Sequence, residues 1–444
     1  MKKKKAVAVC IGVVGGLCLL SVPVLLMQTE KEASFRRYRK KYSLDEWKAI
    51  ETASFRPLNS IVYPDETYKK EEVDEAYITA VSDFAYRIYD RISAQKANSF
   101  FSPLGLYANL DLISSVSSDE AAKEEFDLLL GLDADKRKAN FSRMQRTDCY
   151  VEENGTIQMH NGVFFTDDYS VDPTVVGELT MRRAEAYQID FQNESAREKM
   201  LSWVDRQMGE KGFIDEKDLE IDADTAMLFL TTVYFSNRWE NMFSASNSET
   251  DTFYGSERNE QITYMRHTYA GIVYDYGDYV SFYDAYTNGA KIQYLVPKSV
   301  EDSIDELVKG VDFLKEDEEA RLPGCIIDLS VPKFTSEAQF DFTETLKEEG
   351  LNLVFDRTRP SLNGAFTDAD QVVYLQYVRQ KSRLSFDEDG TEIKSLTFSK
   401  GSSRSISPAI EGETMKIQLN QPFLYVVYDS NDLPLYMGKV DQPN

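Results

Sequence analysis

Histidine is nearly absent from this chain: 444 residues contain only His160 and His267. Two imidazoles leave little room for a zinc cage or a histidine-based catalytic triad, so both are read as structural residues. Cysteine is scarce as well. Cys10 and Cys18 lie in an apolar N-terminal run, which leaves Cys149 and Cys325 for the body. That is too few for a disulfide framework, so two free, buried thiols are expected and the core must hold the fold together. Also missing are a phosphate-binding glycine loop ending in Lys-Ser/Thr, a GxGxxG turn, an HExxH helix and a CxxC pair. No catalytic residue, cofactor or metal is therefore assigned, and an exported enzyme would need cleft residues that the chain does not offer. With 75 acidic side chains, a carboxylate pair says nothing specific about glycoside chemistry.

Basic charge is the last shortage. Lys and Arg number 50 against 75 Asp and Glu, a formal charge of −25. Residues 1–41 hold ten basic and two acidic side chains, so the remainder stands at 40 against 73, or −33. A body this acidic repels a phosphate backbone, which excludes general nucleic-acid binding. The apolar share of 42% is ample for a large core, which excludes global disorder.

Residues 1–5 form a basic N-terminus, Lys2 to Lys5, followed by 22 uncharged residues from Ala6 to Met27. As a helix this run is about 33 Å long at roughly 1.5 Å per residue, the thickness of a bilayer core. It ends without an Ala-x-Ala site, so residues 6–27 are read as an uncleaved signal-anchor in preference to a signal peptide. The body is then extracellular or on the cell surface, with membrane anchoring by residues 6–27. Residues 28–70 read as a polar tether with a basic cluster at 36–41, and residues 71–444 as one large α+β domain.

Within the domain, Tyr77, Val81, Phe84, Ala85, Ile88 and Ile92 recur at the spacing of one helix face. A second helix is expected from a capping-box pattern at Ser117-x-x-Glu120 and stops at Gly131. A third is expected around residues 197–208. Ile327, Leu329 and Val331 alternate as in a half-buried strand, whereas Met227–Phe235 and Phe423–Tyr428 read as strands buried on both faces. Asn140, Asn154 and Asn193 start glycosylation triplets, at a frequency close to chance.

The informative stretch is Ser385–Ser407. It begins as a strand, passes Gly390 and becomes small and polar, with a lone Arg404-Ser405, the composition of an exposed protease site. Thr391, Ile393, Ser395, Thr397 and Ser399 carry no charge, while Glu392, Lys394 and Lys400 share the opposite parity. If the stretch became a strand, one face could be buried without burying charge.

Five segments in order resemble the serpin family over about residues 77–443: Asn98–Leu104, Leu230–Glu240, Val331–Phe334 with Asp341–Leu351, Glu388–Glu392, and Pro422–Tyr425 with Leu435–Val440. The resemblance implies a single large domain with a central β-sheet, surrounding helices and an exposed reactive-centre loop. It implies a suicide substrate for a serine protease. The loop is cut, then inserts into the central sheet as a new strand and distorts the acylated protease. Glu388, Gly390, Thr391 and Glu392 match the hinge, and Ile393, Ser395 and Thr397 would face inward. Family spacing places the scissile bond at Arg404-Ser405, which points to a trypsin-like partner, and a monomer is expected. Ser102, Thr231, Trp239 and Gln380 fall in the region where the sheet opens. The chain departs from the family at Ile393, where a small residue is usual. The stretch from Arg404 to Pro422 is also long, leaving cuts at Lys400 or near Ile410 open. The network of a His, an Asn and two Ser is here Gln380, Thr231, Ser102 and Gly105. The alternative is a serpin fold that binds a partner without inhibiting.

Overall fold

The structure, a computed structural model, describes residues 54–61, 72–93, 98–147, 149–152, 155–393 and 413–443. The apolar stripe expected from Tyr77 to Ile92 lies on α1 (Glu75–Ile92), and its six residues are all buried. Three helices follow: α2 (Pro103–Val116), α3 (Glu120–Leu130) and α4 (Ala134–Thr147). Nearly every residue of α2 is buried, because sheets and helices surround it. α3 ends at Gly131 in the left-handed region, φ 73°, as its sequence predicts. Its cap is Asp119, not the expected Ser117. The Asp119 carboxylate accepts from the N–H groups of Ala121 and Ala122, while the Ser117 hydroxyl donates to the Ser361 carbonyl. A carboxylate is the better partner for the positive end of the helix. Then come α5 (Pro173–Met181), α6 (Glu194–Met208) and the single turn α7 (Glu216–Leu219). α6 starts three residues before its expected position because Asn193 caps it.

The strands are, in chain order, β1 (Phe55–Pro57), β2 (Ser99–Phe101), β3 (Tyr150–Glu152), β4 (Gly155–Thr166), β5 (Ala184–Ile189) and β6 (Met227–Arg238). Next are β7 (Glu249–Tyr254), β8 (Asn259–Gly271), β9 (Val273–Asp275), β10 (Tyr279–Ala285), β11 (Lys291–Pro297) and β12 (Cys325–Pro332). Last are β13 (Phe334–Asp341), β14 (Arg379–Phe386), β15 (Gly390–Ile393), β16 (Thr414–Gln418), β17 (Phe423–Tyr428) and β18 (Pro434–Val440). The central sheet runs β1-β5-β4-β6-β15-β14-β13, with β3 on β4. A second sheet runs β2-β18-β17-β11-β10-β9 and a third β16-β12-β8-β7. The main core joins α1 and α2 to these sheets, and a smaller one lies between α6 and the central sheet.

β12 and β17 bear out the expected strands, with Ile327, Leu329 and Val331 fully buried and every residue of β17 buried. β6 departs from a strand buried on both faces: Met227–Thr231 are only half-buried. Inside the stretch read as a tether, residues 54–61 join the body. Phe55 to Pro57 pair with Ile189 to Tyr187, and Phe55 is buried against Phe164 and Tyr187. Cys149 and Cys325 are not joined to each other in a disulfide; the first is half-buried and the second buried. Asn140 is buried and exchanges hydrogen bonds with Asp74, which closes that triplet to glycosylation. Among the described residues no helix is long and apolar enough to cross a membrane; residues 6–27 lie outside them.

Candidate functional site

β14 ends in a turn held by Asp387, whose Oδ1 accepts from the N–H groups of Asp389 and Gly390 at 2.9 and 3.2 Å. The chain then reverses into β15, which lies between β6 and β14 and runs antiparallel to both. Gly390, Thr391, Glu392 and Ile393 pair with Arg238, Asn237, Ser236 and Phe235, and Glu392 and Thr391 pair with Ser385 and Phe386. The hinge expected from Glu388 to Glu392 is therefore already sheet from Gly390 onward, and the backbone at Ile393 continues it. Glycine at 390 has a steric cause. A Cβ there would stand 2.1 Å from the Asn237 carbonyl oxygen, so a side chain would push β15 off β6.

Contacts distant in sequence fix this turn and the start of β15. Thr391 is buried, and its hydroxyl lies 2.6 Å from the Tyr286 hydroxyl, also buried. Tyr286 stacks on Trp239, with centroids 4.7 Å apart and 18° between the rings. The Trp239 Nε1–H donates to the Asp387 carbonyl at 2.9 Å. Glu388 pairs with Lys333 Nζ at 2.5 Å and accepts from the Ser248 hydroxyl at 3.1 Å. Burial acts to raise the Glu388 pKa, but Lys333, the residue's own backbone N–H and Ser248 together outweigh it and hold the carboxyl below its ordinary value. Asp387 goes the other way, raised by burial.

Beyond Ile393 the sheet is parted. Among the described residues β6 pairs with β4 and β14 with β13, and the two share no ladder with each other. Between them lies a cavity of about 140 Å³, reached by Leu230, Thr231 and Val233 of β6 and by Gln380 and Ser382 of β14. This parting explains the half-buried first half of β6. Two facing strand edges in line with β15 are a template for one more strand.

The polar groups under the sheet form two sets. Gln380 clamps the Ser102 backbone, accepting from its N–H at 2.6 Å and donating to its carbonyl at 3.0 Å. The Ser102 hydroxyl donates to Leu435 O and accepts from Gly105 N. On the other side the Thr231 hydroxyl donates to Asn161 Oδ1 at 2.8 Å and accepts from Asn109 Nδ2 at 3.1 Å. Each set ties one edge of the parting to α2, the first through β14 and the second through β6. Ser102, Thr231 and Gln380 all line the cavity. Trp239 follows the last residue of β6, eight positions from Thr231, and lies beside Asp387. Ser395, Thr397, Arg404 and Ser405 lie outside the described residues. Sequence reading missed Tyr286, Lys333, Asn109 and Asn161. Only Lys333 stood in a segment already singled out, beside Val331 and Phe334.

This geometry agrees with the comparisons. The family model described as Serpin (serine protease inhibitor) matches residues 79–443. Alpha-1-antiproteinase 2 of Equus caballus is 23% identical over 398 residues, covering 85% of this chain and 90% of the relative. The plasma serine protease inhibitor of Mus musculus is 25% identical over 398 residues, covering 84% and 94%. Among solved structures, the thermophilic serpin tengpin in its native state superposes with TM-score 0.72 at 19% identity, covering 84% of this chain and 96% of tengpin. Human thyroxine-binding globulin bound to thyroxine has TM-score 0.69 at 21% identity, covering 83% and 98%. A central sheet parted between β6 and β14, with β15 at the head of the parting, thus coincides with a family match over residues 79–443, and the chain belongs to the serpin family.

Proposed function

We propose that the chain is a suicide-substrate inhibitor of a trypsin-like serine protease, with Arg404-Ser405 as the bond attacked. The protease serine forms an ester with the Arg404 carbonyl, and the amine of Ser405 leaves as a new N-terminus. The freed loop then enters the sheet between β6 and β14, and the acyl-enzyme is distorted before water can hydrolyse the ester. The observation that carries this reading is the strand pairing of Gly390–Ile393 at the head of the parting. Continuing that register brings Lys394 opposite Tyr234 and Arg383, and Phe398 opposite Leu230 and Arg379. The uncharged parity of Thr391, Ile393, Ser395 and Thr397 would then face inward. Arg404 suits a primary pocket with an acid at its base. The reading includes export through residues 6–27.

The test mixes the chain with trypsin at several molar ratios on denaturing gels. A covalent band at the summed mass, with cleavage mapped to Arg404-Ser405, is the expected result. Complete cleavage with trypsin still active would overturn it. The second reading, a binding protein without inhibition, is favoured by the bulk of Ile393 and by the likeness to thyroxine-binding globulin. It predicts that second outcome.

A further inference from the structure

The parting has a cover, and the cover is fastened differently on its two sides. α6 packs on the β6 side through a small apolar core in which Trp203 meets Phe164, and Phe55 and Tyr187 extend the contact toward the sheet edge. From its C-terminal end the chain passes Gly209 and Gly212, both with positive φ, and crosses toward β14 through α7. Met208, Phe213 and Leu219 of this strap line the same cavity as Thr231 and Gln380.

On the far side the strap meets a ladder of charge. Arg379, Lys381 and Arg383 alternate along β14 and so project from one face. Each finds an acid of the strap: Glu210 at 2.6 Å from Arg383, Asp218 at 3.5 Å from Lys381, and Glu220 at 2.9 Å from Arg379. The same cations also meet Glu337 and Asp341 of β13, but those contacts lie wholly on the β14 side. The three strap pairs are half-exposed, so they are individually weak and open to screening.

We propose that Glu210 and Glu220 are positioning residues that latch the strap over the parting and set the rate of strand insertion, a latch weakened by ionic strength. The proposal rests on the insertion reading above. An incoming strand widens the distance between β6 and β14, which a strap fastened to both sides resists. Extending the β15 register also places Lys394 opposite Arg383, where like charges repel unless an acid stays between them. Glu210 both holds the strap and neutralises that position.

The experiment uses the full chain and a synthetic peptide with the sequence Thr391–Arg404, added in excess, with incorporation followed by native gel and mass. Between about 0.1 and about 1 M sodium chloride the screening length falls from ~10 to ~3 Å, and insertion into the wild-type chain is expected to accelerate. Glu210→Gln with Glu220→Gln, which keeps shape and hydrogen bonding, is expected to insert peptide about fivefold faster at low salt and to lose most of the salt response. Asp218 is left intact because it also caps α7. Glu337→Gln removes an acid from the same cations without touching the strap, and is expected to leave rate and salt response unchanged. Equal rates and salt responses for wild type and the double variant overturn the latch, as does equal acceleration by Glu337→Gln. No peptide uptake by wild type at any salt removes the insertion reading itself, and the latch with it.

Discussion

At the scale of single residues the hinge depends on groups that its own sequence does not contain. The hydroxyls of Tyr286 and Thr391, 2.6 Å apart, are both buried, so each leaves the other without its partner when removed. Tyr286→Phe and Thr391→Val are each expected to cost about 1–3 kcal/mol, and the double variant less than their sum. A double-mutant cycle in urea-induced unfolding measures the coupling, expected at about 1 kcal/mol; additive effects would deny the contact. This pair also marks the limit of sequence reading. Gly390 and Thr391 stood out because Glu388–Glu392 resembles the serpin hinge, and Thr391 also opens the uncharged parity. Tyr286 is one of 26 tyrosines, and nothing local distinguishes it until the fold brings it across 105 positions to the hinge.

At the scale of elements, long periodic segments were readable and short or dual-purpose ones were not. The stripe of α1 repeats over more than four turns, so its buried face could be named residue by residue. β1 is three residues inside a polar stretch, and its one anchor, Phe55, has no periodic companion. β6 looked uniformly buried because hydrophobicity cannot tell a core face from the wall of a parting. The interface of α6 with the sheet offers a test. His160 sits on the face of β4 that carries Gly162 and Phe164, both against Trp203. Burial, and then the charge of Arg206 on α6, lower its pKa from 6.5 to about 4. The unfolded chain therefore takes up this proton first as pH falls. Stability is unaffected above pH ~6.5, declines as pH falls from ~6.5 to ~4, and levels off below. The slope approaches ~1.4 kcal/mol per pH unit at its steepest, and less where water reaches the ring. His160→Gln is expected to flatten this part of the stability-versus-pH curve measured by urea unfolding. An unchanged curve would place the acid sensitivity among carboxylates with lowered pKa, Glu388 among them.

At the scale of the molecule the question is whether the parted sheet is a resting arrangement or stored free energy. The facing edges of β6 and β14 carry backbone groups with no ladder between them, over a cavity of about 140 Å³. Filling that space with residues 394–398 would add hydrogen bonds to both edges and bury an uncharged face, with no charged side chain turned inward. The described chain reaches the head of the parting in register at Ile393, and on the proposed reading cleavage after Arg404 frees the far end of the loop to follow. A chain nicked there is then expected to unfold at a temperature higher by on the order of ten degrees, which takes about 5–10 kcal/mol of added sheet, because each kcal/mol is worth roughly 2–4 °C in a domain of half this size and about half that here. A calorimetric scan of nicked against intact chain decides it. A nicked chain that melts with the intact one would mean that the parting stores nothing, that four hinge residues in the sheet are the end of the movement, and that a serpin fold is used here for binding. A large rise would mean that β15 is the first turn of a zipper already started, which cleavage only allows to close.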